Sequence, residues 1–248
     1  MDRLRERYLS VALSDVNLPI LQPEAKEIAI AEKSAANEAP PVKEEQLTAQ
    51  TWYERGYVFQ KDENFDEAIR CFSEAIRLQP NFADAYSWRG DSRREKGDLD
   101  GALEDHNMAI QLNPRKMGYY GFRGYTRKEK GDIPGAIEDY SEAIRIEPDN
   151  AFMYSFRGLA LAAKGDLDKA IKDFDIAISY QPDRALRYFY RGEVWEKKRI
   201  YTKAIADYKK YLELGSGLEW ATQKEIEGTI KKLKKRLSKK KSETKKSK

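Results

Sequence analysis

In this 248-residue sequence cysteine and histidine, the side chains readiest for nucleophilic and metal chemistry near neutral pH, are almost absent. There is one cysteine, Cys71, and one histidine, His106. A lone cysteine closes no intramolecular disulfide and leaves no cysteine cluster for zinc. The sequence contains no Gly-rich phosphate loop, no metal-spaced His/Cys set and no nucleophile with a histidine partner. Catalysis is therefore not expected, nor is a cofactor or a metal. A different pairing does recur. Arg89, Arg123, Arg157 and Arg191 are each followed, sixteen residues on, by Asp105, Asp139, Asp173 and Asp207, whereas Arg55 is followed by Cys71. A guanidinium and a carboxylate that recur together form a two-pronged, charge-assisted pair, which is a chemistry of holding. The competing reading is a row of exposed arginines that meets acidic ligands.

The elements that must position these residues repeat with a period of 34. Tyr154, Arg157-Gly158, Gly165-Asp166, Ala170, Phe174, Ala177 and Pro182 have counterparts one period earlier in Tyr120, Arg123-Gly124, Gly131-Asp132, Ala136, Tyr140, Ala143 and Pro148. The series extends back through Tyr86 to Pro114 and Trp52 to Pro80, and forward from Tyr188 to Tyr208. Each unit reads as two helices: Trp52, Gly56 and Phe59 make one stripe at helical spacing, and Ala68, Ile69, Phe72, Ala75 and Ile76 another. The Gly-Asp pairs end the first helix, Pro134 sits in the opening turn of a second, and Pro80, Pro114, Pro148 and Pro182 stop each second helix. Recurrent Gly and Ala let neighbouring helices approach closely. His106 occupies the slot held elsewhere by Phe72, Tyr140, Phe174 and Tyr208, so it reads as a core residue.

On these residues the sequence resembles the tetratricopeptide repeat (TPR) family from Ala49 to about Ser216. The resemblance implies an all-α fold, a right-handed α-solenoid of helix-turn-helix repeats with a C-terminal capping helix. The expected division is an N-terminal extension and linker at 1–48, repeats at 49–82, 83–116, 117–150, 151–184 and 185–217, a capping helix at 218–238 and a basic disordered tail at 239–248. The fifth unit breaks the pattern, with Tyr211 in the Ala slot and Gly215-Ser216-Gly217 in place of Pro. Beyond it Ile226, Ile230, Leu233 and Leu237 form the stripe that a cap needs. Near the N-terminus Leu4, Tyr8 and Val11 suggest a short helix, and Pro23 to Leu47 reads as a tether.

The family takes partner segments on a concave face lined by first helices, and the corresponding positions here include Tyr53, Tyr57, Asp91, Arg94, Tyr125, Lys128, Phe152, Leu159, Phe189 and Glu193. The resemblance implies a non-catalytic scaffold that binds a peptide or helix of another protein. No core position of the repeat requires an aromatic at Tyr53, Tyr57 or Tyr125, so these are expected to be exposed anchors. Members that bind chaperone tails carry asparagines at two slots that hold Tyr57 and Trp88 here, so a carboxylate-clamp partner is not expected. Arginine replaces the family's usual leucine at the seventh position of all five units.

Charge is segregated. The net charge is +4, yet Lys231–Lys248 alone carries about +10, which leaves the rest acidic. Such a tail supports weak, non-specific contact with nucleic acid or an anionic surface, and an adaptor tethered through it is the alternative function. Mean hydropathy is -0.81; no apolar run is long enough to cross a membrane and the first 22 residues lack a signal peptide's apolar core, so a cytoplasmic protein is expected.

Overall fold

The computed structural model describes residues 47–215 and 223–246, with side chains to residue 239. The N-terminal candidate helix, most of the tether, the start of the expected capping segment and the last two residues lie outside the described residues. Among the described residues every regular element is a helix. These are α1 (Ala49–Lys61), α2 (Phe65–Leu78), α3 (Ala83–Glu95), α4 (Leu99–Leu112), α5 (Met117–Glu129), α6 (Ile133–Ile146), α7 (Ala151–Lys164), α8 (Leu167–Tyr180), α9 (Ala185–Lys197), α10 (Tyr201–Leu214) and α11 (Gln223–Lys246). Helix formation follows local rules. The Thr48 hydroxyl accepts from the Thr51 amide at 3.2 Å, the Asp98 carboxylate from the Gly101 amide at 3.0 Å, and the Asn150 side chain from the Phe152 amide at 3.1 Å, each satisfying donors that a helix start leaves unpaired.

Two compact bodies are present, one holding residues 47–132 and the other 133–246. In the first, α1 to α5 pack each on the next, and the first helices α1, α3 and α5 also touch in sequence. Its core runs through Phe72, Trp88, His106 and Phe122. The close approach of α3 to α4 depends on Gly90, where a Cβ would stand 2.7 Å from the His106 ring. In the second body α6 to α11 pack in the same succession, and α7 touches α9. Phe174, Tyr190, Tyr208 and Tyr211 form its core, which Ile226, Ile230 and Leu233 of α11 complete.

Short connections set the hairpins. Gly97, Gly131 and Gly165 take positive φ at 85°, 89° and 96° after α3, α5 and α7. Glu63 and Arg199 take the same turn at 59° and 58° with a Cβ in place. After the prolines, a tyrosine of the following helix donates its hydroxyl to the proline carbonyl: Tyr120 to Pro114 at 3.2 Å, Tyr154 to Pro148 at 3.0 Å and Tyr188 to Pro182 at 3.1 Å. Gly215 closes α10 in the left-handed conformation. One boundary differs from expectation: α11 runs to Lys246, through most of the segment read as a disordered tail. That stretch has no Gly or Pro to break the helix, lysine is a good helix former, and cations suit a helix C-terminus.

Candidate interaction surface

Among the recurrent arginines, Arg89, Arg157 and Arg191 are clamps. Arg89 donates through Nε and NH2 to the Asp105 carboxylate at 2.9 and 2.7 Å, Arg157 to Asp173 at 2.8 and 2.9 Å, and Arg191 to Asp207 at 2.8 and 2.7 Å. The remaining NH1 reaches back to the preceding unit: Arg89 to Ser73 at 3.2 Å, Arg123 to Asn107 at 2.8 Å, Arg157 to Ser141 at 3.2 Å and Arg191 to Asp175 at 2.6 Å. Each guanidinium also lies over the ring three residues before it, at 5.4 Å for Arg89 on Tyr86 and 5.6 Å for Arg157 on Tyr154. Arg89, Arg157 and Arg191 thereby tie two successive second helices together, the forward partner as the spacing implied. The backward partner was missed, although Ser73, Asn107, Ser141 and Asp175 recur with the same period and signal it.

The ten positions carried over to the concave face fall six in the first body and four in the second. In the first, Tyr53, Tyr57 and Tyr125 are 3%, 5% and 0% exposed. Exposed anchors were expected there; the structure buries them because the first helices pack side by side through these rings. Tyr57 meets Trp88 edge-on at 5.1 Å, Trp88 meets Phe122 at 5.5 Å, and Tyr53 sits 4.9 Å from Phe82. Asp91 and Arg94 are also buried, joined at 2.8 Å. Gln60 donates to the other Asp91 oxygen at 2.8 Å, and Arg94 pairs further with Glu95 and, at 3.2 Å, with Glu129. Its guanidinium covers the Tyr125 ring at 4.7 Å. Burial pushes the Asp91 pKa up, with Arg94 opposing. For Arg94 burial works against the cation, but Asp91, Glu95 and Glu129 outweigh it and hold its pKa above the ordinary value. Lys128 is half-buried, 5.3 Å over Tyr125.

In the second body Phe152 and Leu159 of α7 and Glu193 of α9 are half-buried, while Phe189 is buried against Tyr208 and Tyr211 at 6.0 and 5.3 Å. Phe152 lies 5.3 Å from the Arg187 guanidinium, which is itself buried and donates to Ser155 at 3.2 Å and to the Gln181 carbonyl at 2.9 Å. Glu193 borders a cavity of about 380 Å³ together with Glu196, Lys197, Arg199, Tyr201, Tyr208 and Arg236. There the Tyr208 hydroxyl donates to Glu196 at 3.3 Å, and Arg236 approaches the same carboxylate at 3.7 Å. Carboxylates face cations around this opening, which suits a polar side chain of a partner. Sequence reasoning missed the cavity because Tyr201 and Arg236 reach it from α10 and α11.

Comparison with known proteins follows the same lines. The family model described as Tetratricopeptide repeat matches residues 49–82, one described as TPR repeat matches 124–165, and a further Tetratricopeptide repeat model matches 157–219. No curated protein sequence matches the chain. Among solved structures, that of MamA is 25% identical, with a TM-score of 0.59 over 64% of this chain and 94% of that one. YrrB, described as a TPR protein with an unusual peptide-binding site, is 15% identical, with a TM-score of 0.59 over 82% of this chain and 97% of that one. A thermophilic TPR protein of Thermus thermophilus, TTC0263, is 21% identical, with a TM-score of 0.57 over 75% of this chain and 98% of that one.

Proposed function

The chain belongs to the tetratricopeptide repeat family, and on that premise we propose that it is a non-catalytic scaffold that takes a peptide or helix of another protein along its first helices. The reading rests most on the second body. Phe152 and Leu159 stand one turn-pair apart on α7 and are half-buried, and Glu193 on the neighbouring α9 borders the mixed-charge cavity. This combination suits a partner segment that lays apolar side chains on α7 and sends a polar one into the opening. In the first body the sealed rings of Tyr53, Tyr57 and Tyr125 make a floor, and Lys128 is the carried-over position that retains exposure. A carboxylate-clamp partner is disfavoured, since the two slots that would need asparagine hold Tyr57 and Trp88 packed on each other.

The test is selection of peptides from a displayed random library by the full chain. Selected peptides are expected to lose about tenfold in affinity, or 1.4 kcal/mol, on Leu159→Ala combined with Glu193→Gln. They are expected to be unaffected by Leu78→Ala, an exposed residue at the end of α2. Selection of peptides indifferent to the α7 and α9 substitutions would move the binding surface elsewhere.

A further inference from the structure

Helix α11 is amphipathic in an unusual division of labour. Ile226, Ile230 and Leu233 are buried on the second body, so the apolar face is committed to α10. At 100° per residue Lys224, Lys231, Lys232 and Lys235 fall on the opposite face, and all four are exposed. Over 24 residues the helix extends about 36 Å. Two acids, Glu225 and Glu227, flank the row near its start. These four cations are thus carried on a helical edge, not on the loose tail that composition alone suggested.

We propose that this face of α11 docks the protein on an anionic membrane surface, held by lysine attraction to lipid phosphates and carboxylates without insertion. The apolar stripe that an inserting interfacial helix would need is already occupied. Lysine suits such a surface because its compact charge asks for no particular partner geometry. Nucleic acid fits less well. The exposed row carries no aromatic for base stacking and no amide for base edges, and Arg236 is turned toward Glu196 and the Tyr201 ring. The inference stands apart from the scaffold reading, since none of its residues lies on α7 or α9.

Co-sedimentation of the full chain with vesicles of phosphatidylserine and phosphatidylcholine in equal parts tests it, against vesicles of phosphatidylcholine alone. Retention is expected on the anionic vesicles only, and it is expected to fall at least about tenfold when Lys224, Lys231, Lys232 and Lys235 are all changed to Gln. Glutamine keeps helix propensity, and circular dichroism checks the fold. The matched set Lys164→Gln, Lys169→Gln, Lys172→Gln and Lys209→Gln, which lowers net charge equally at other exposed positions, is expected to retain binding. Equal loss in both sets, or no loss in the α11 set, overturns the proposal, as does failure of the parent to bind anionic vesicles. Tighter, α11-dependent retention of duplex DNA or RNA than of vesicles overturns it in favour of nucleic acid.

Discussion

His106 shows how a single residue type is reassigned by its surroundings. It is fully buried, stacked on Phe122 at 5.9 Å, and neither ring nitrogen has a hydrogen-bond partner among the described residues. Burial first, then the nearby cations Arg94 and Arg123, push its pKa down from 6.5 to about 3. A base with a depressed folded pKa stays neutral in the fold while the unfolded chain takes up a proton. Its contribution to stability is therefore present above pH 6.5 and is lost as the pH falls toward 3. His106→Phe, which installs the residue found at Phe72 and Phe174, should remove this dependence. Denaturant titrations should show the parent losing about 1.4 kcal/mol per pH unit relative to the variant between those limits. A constant difference across that range would contradict the buried neutral ring. The arginine clamps predict a second asymmetry. The Arg157 and Asp173 side chains are 23% and 6% exposed, so Asp173→Ala leaves a guanidinium partly desolvated. The cost should be about 2 kcal/mol, below the full burial figure because Arg157 keeps some solvent. Glu138→Ala, at an exposed site on α6, should stay within about 0.5 kcal/mol.

At the scale of the element, the turn after a first helix distinguishes Glu63 and Arg199 from their glycine counterparts. Both hold a left-handed backbone that glycine adopts without a Cβ clash. Glu63→Gly and Arg199→Gly should each stabilise the fold by about 1 kcal/mol, an unusual sign for a glycine substitution. Thermal melts read it directly, and a loss at both positions would show that side-chain contacts dominate. In α11, Leu233 is fully buried whereas Lys231 and Lys232 beside it are exposed. Leu233→Ala should cost about 2–5 kcal/mol.

For the whole molecule, α11 is what covers the last helix pair. Ending the chain at Gly215 uncovers the face that Ile226, Ile230 and Leu233 occupy, next to Tyr208 and Tyr211. The truncated protein should melt earlier and associate more than the full chain in sedimentation experiments. Unchanged melting and sedimentation would mean that α11 is an appendage and not a cap.

Period and packing rules were legible from one sequence because they are local. The 34-residue spacing of Gly, Ala and Pro, the helix-ending Gly-Asp pairs and the sixteen-residue Arg to Asp interval all report contacts within a unit or its helical hairpin, and Gly90 against His106 is such a contact. Burial between units was not legible in the same way. Tyr57, Asp91, Arg94 and Tyr125 are polar or amphipathic residues at positions open in the family pattern, yet the structure seals them. Tyr57 meets Trp88 on the next first helix, and Arg94 finds Asp91, Glu129 and the Tyr125 ring across α3 and α5. Whether such a side chain faces solvent or a neighbour depends on which rings and charges lie across the helix interface, and periodicity within one helix carries no record of that. The length of α11 likewise combined two opposing readings of the same lysines, as a solvated run and as good helix formers. Anchoring through Ile226, Ile230 and Leu233 supplied the nucleus from which the helix extends.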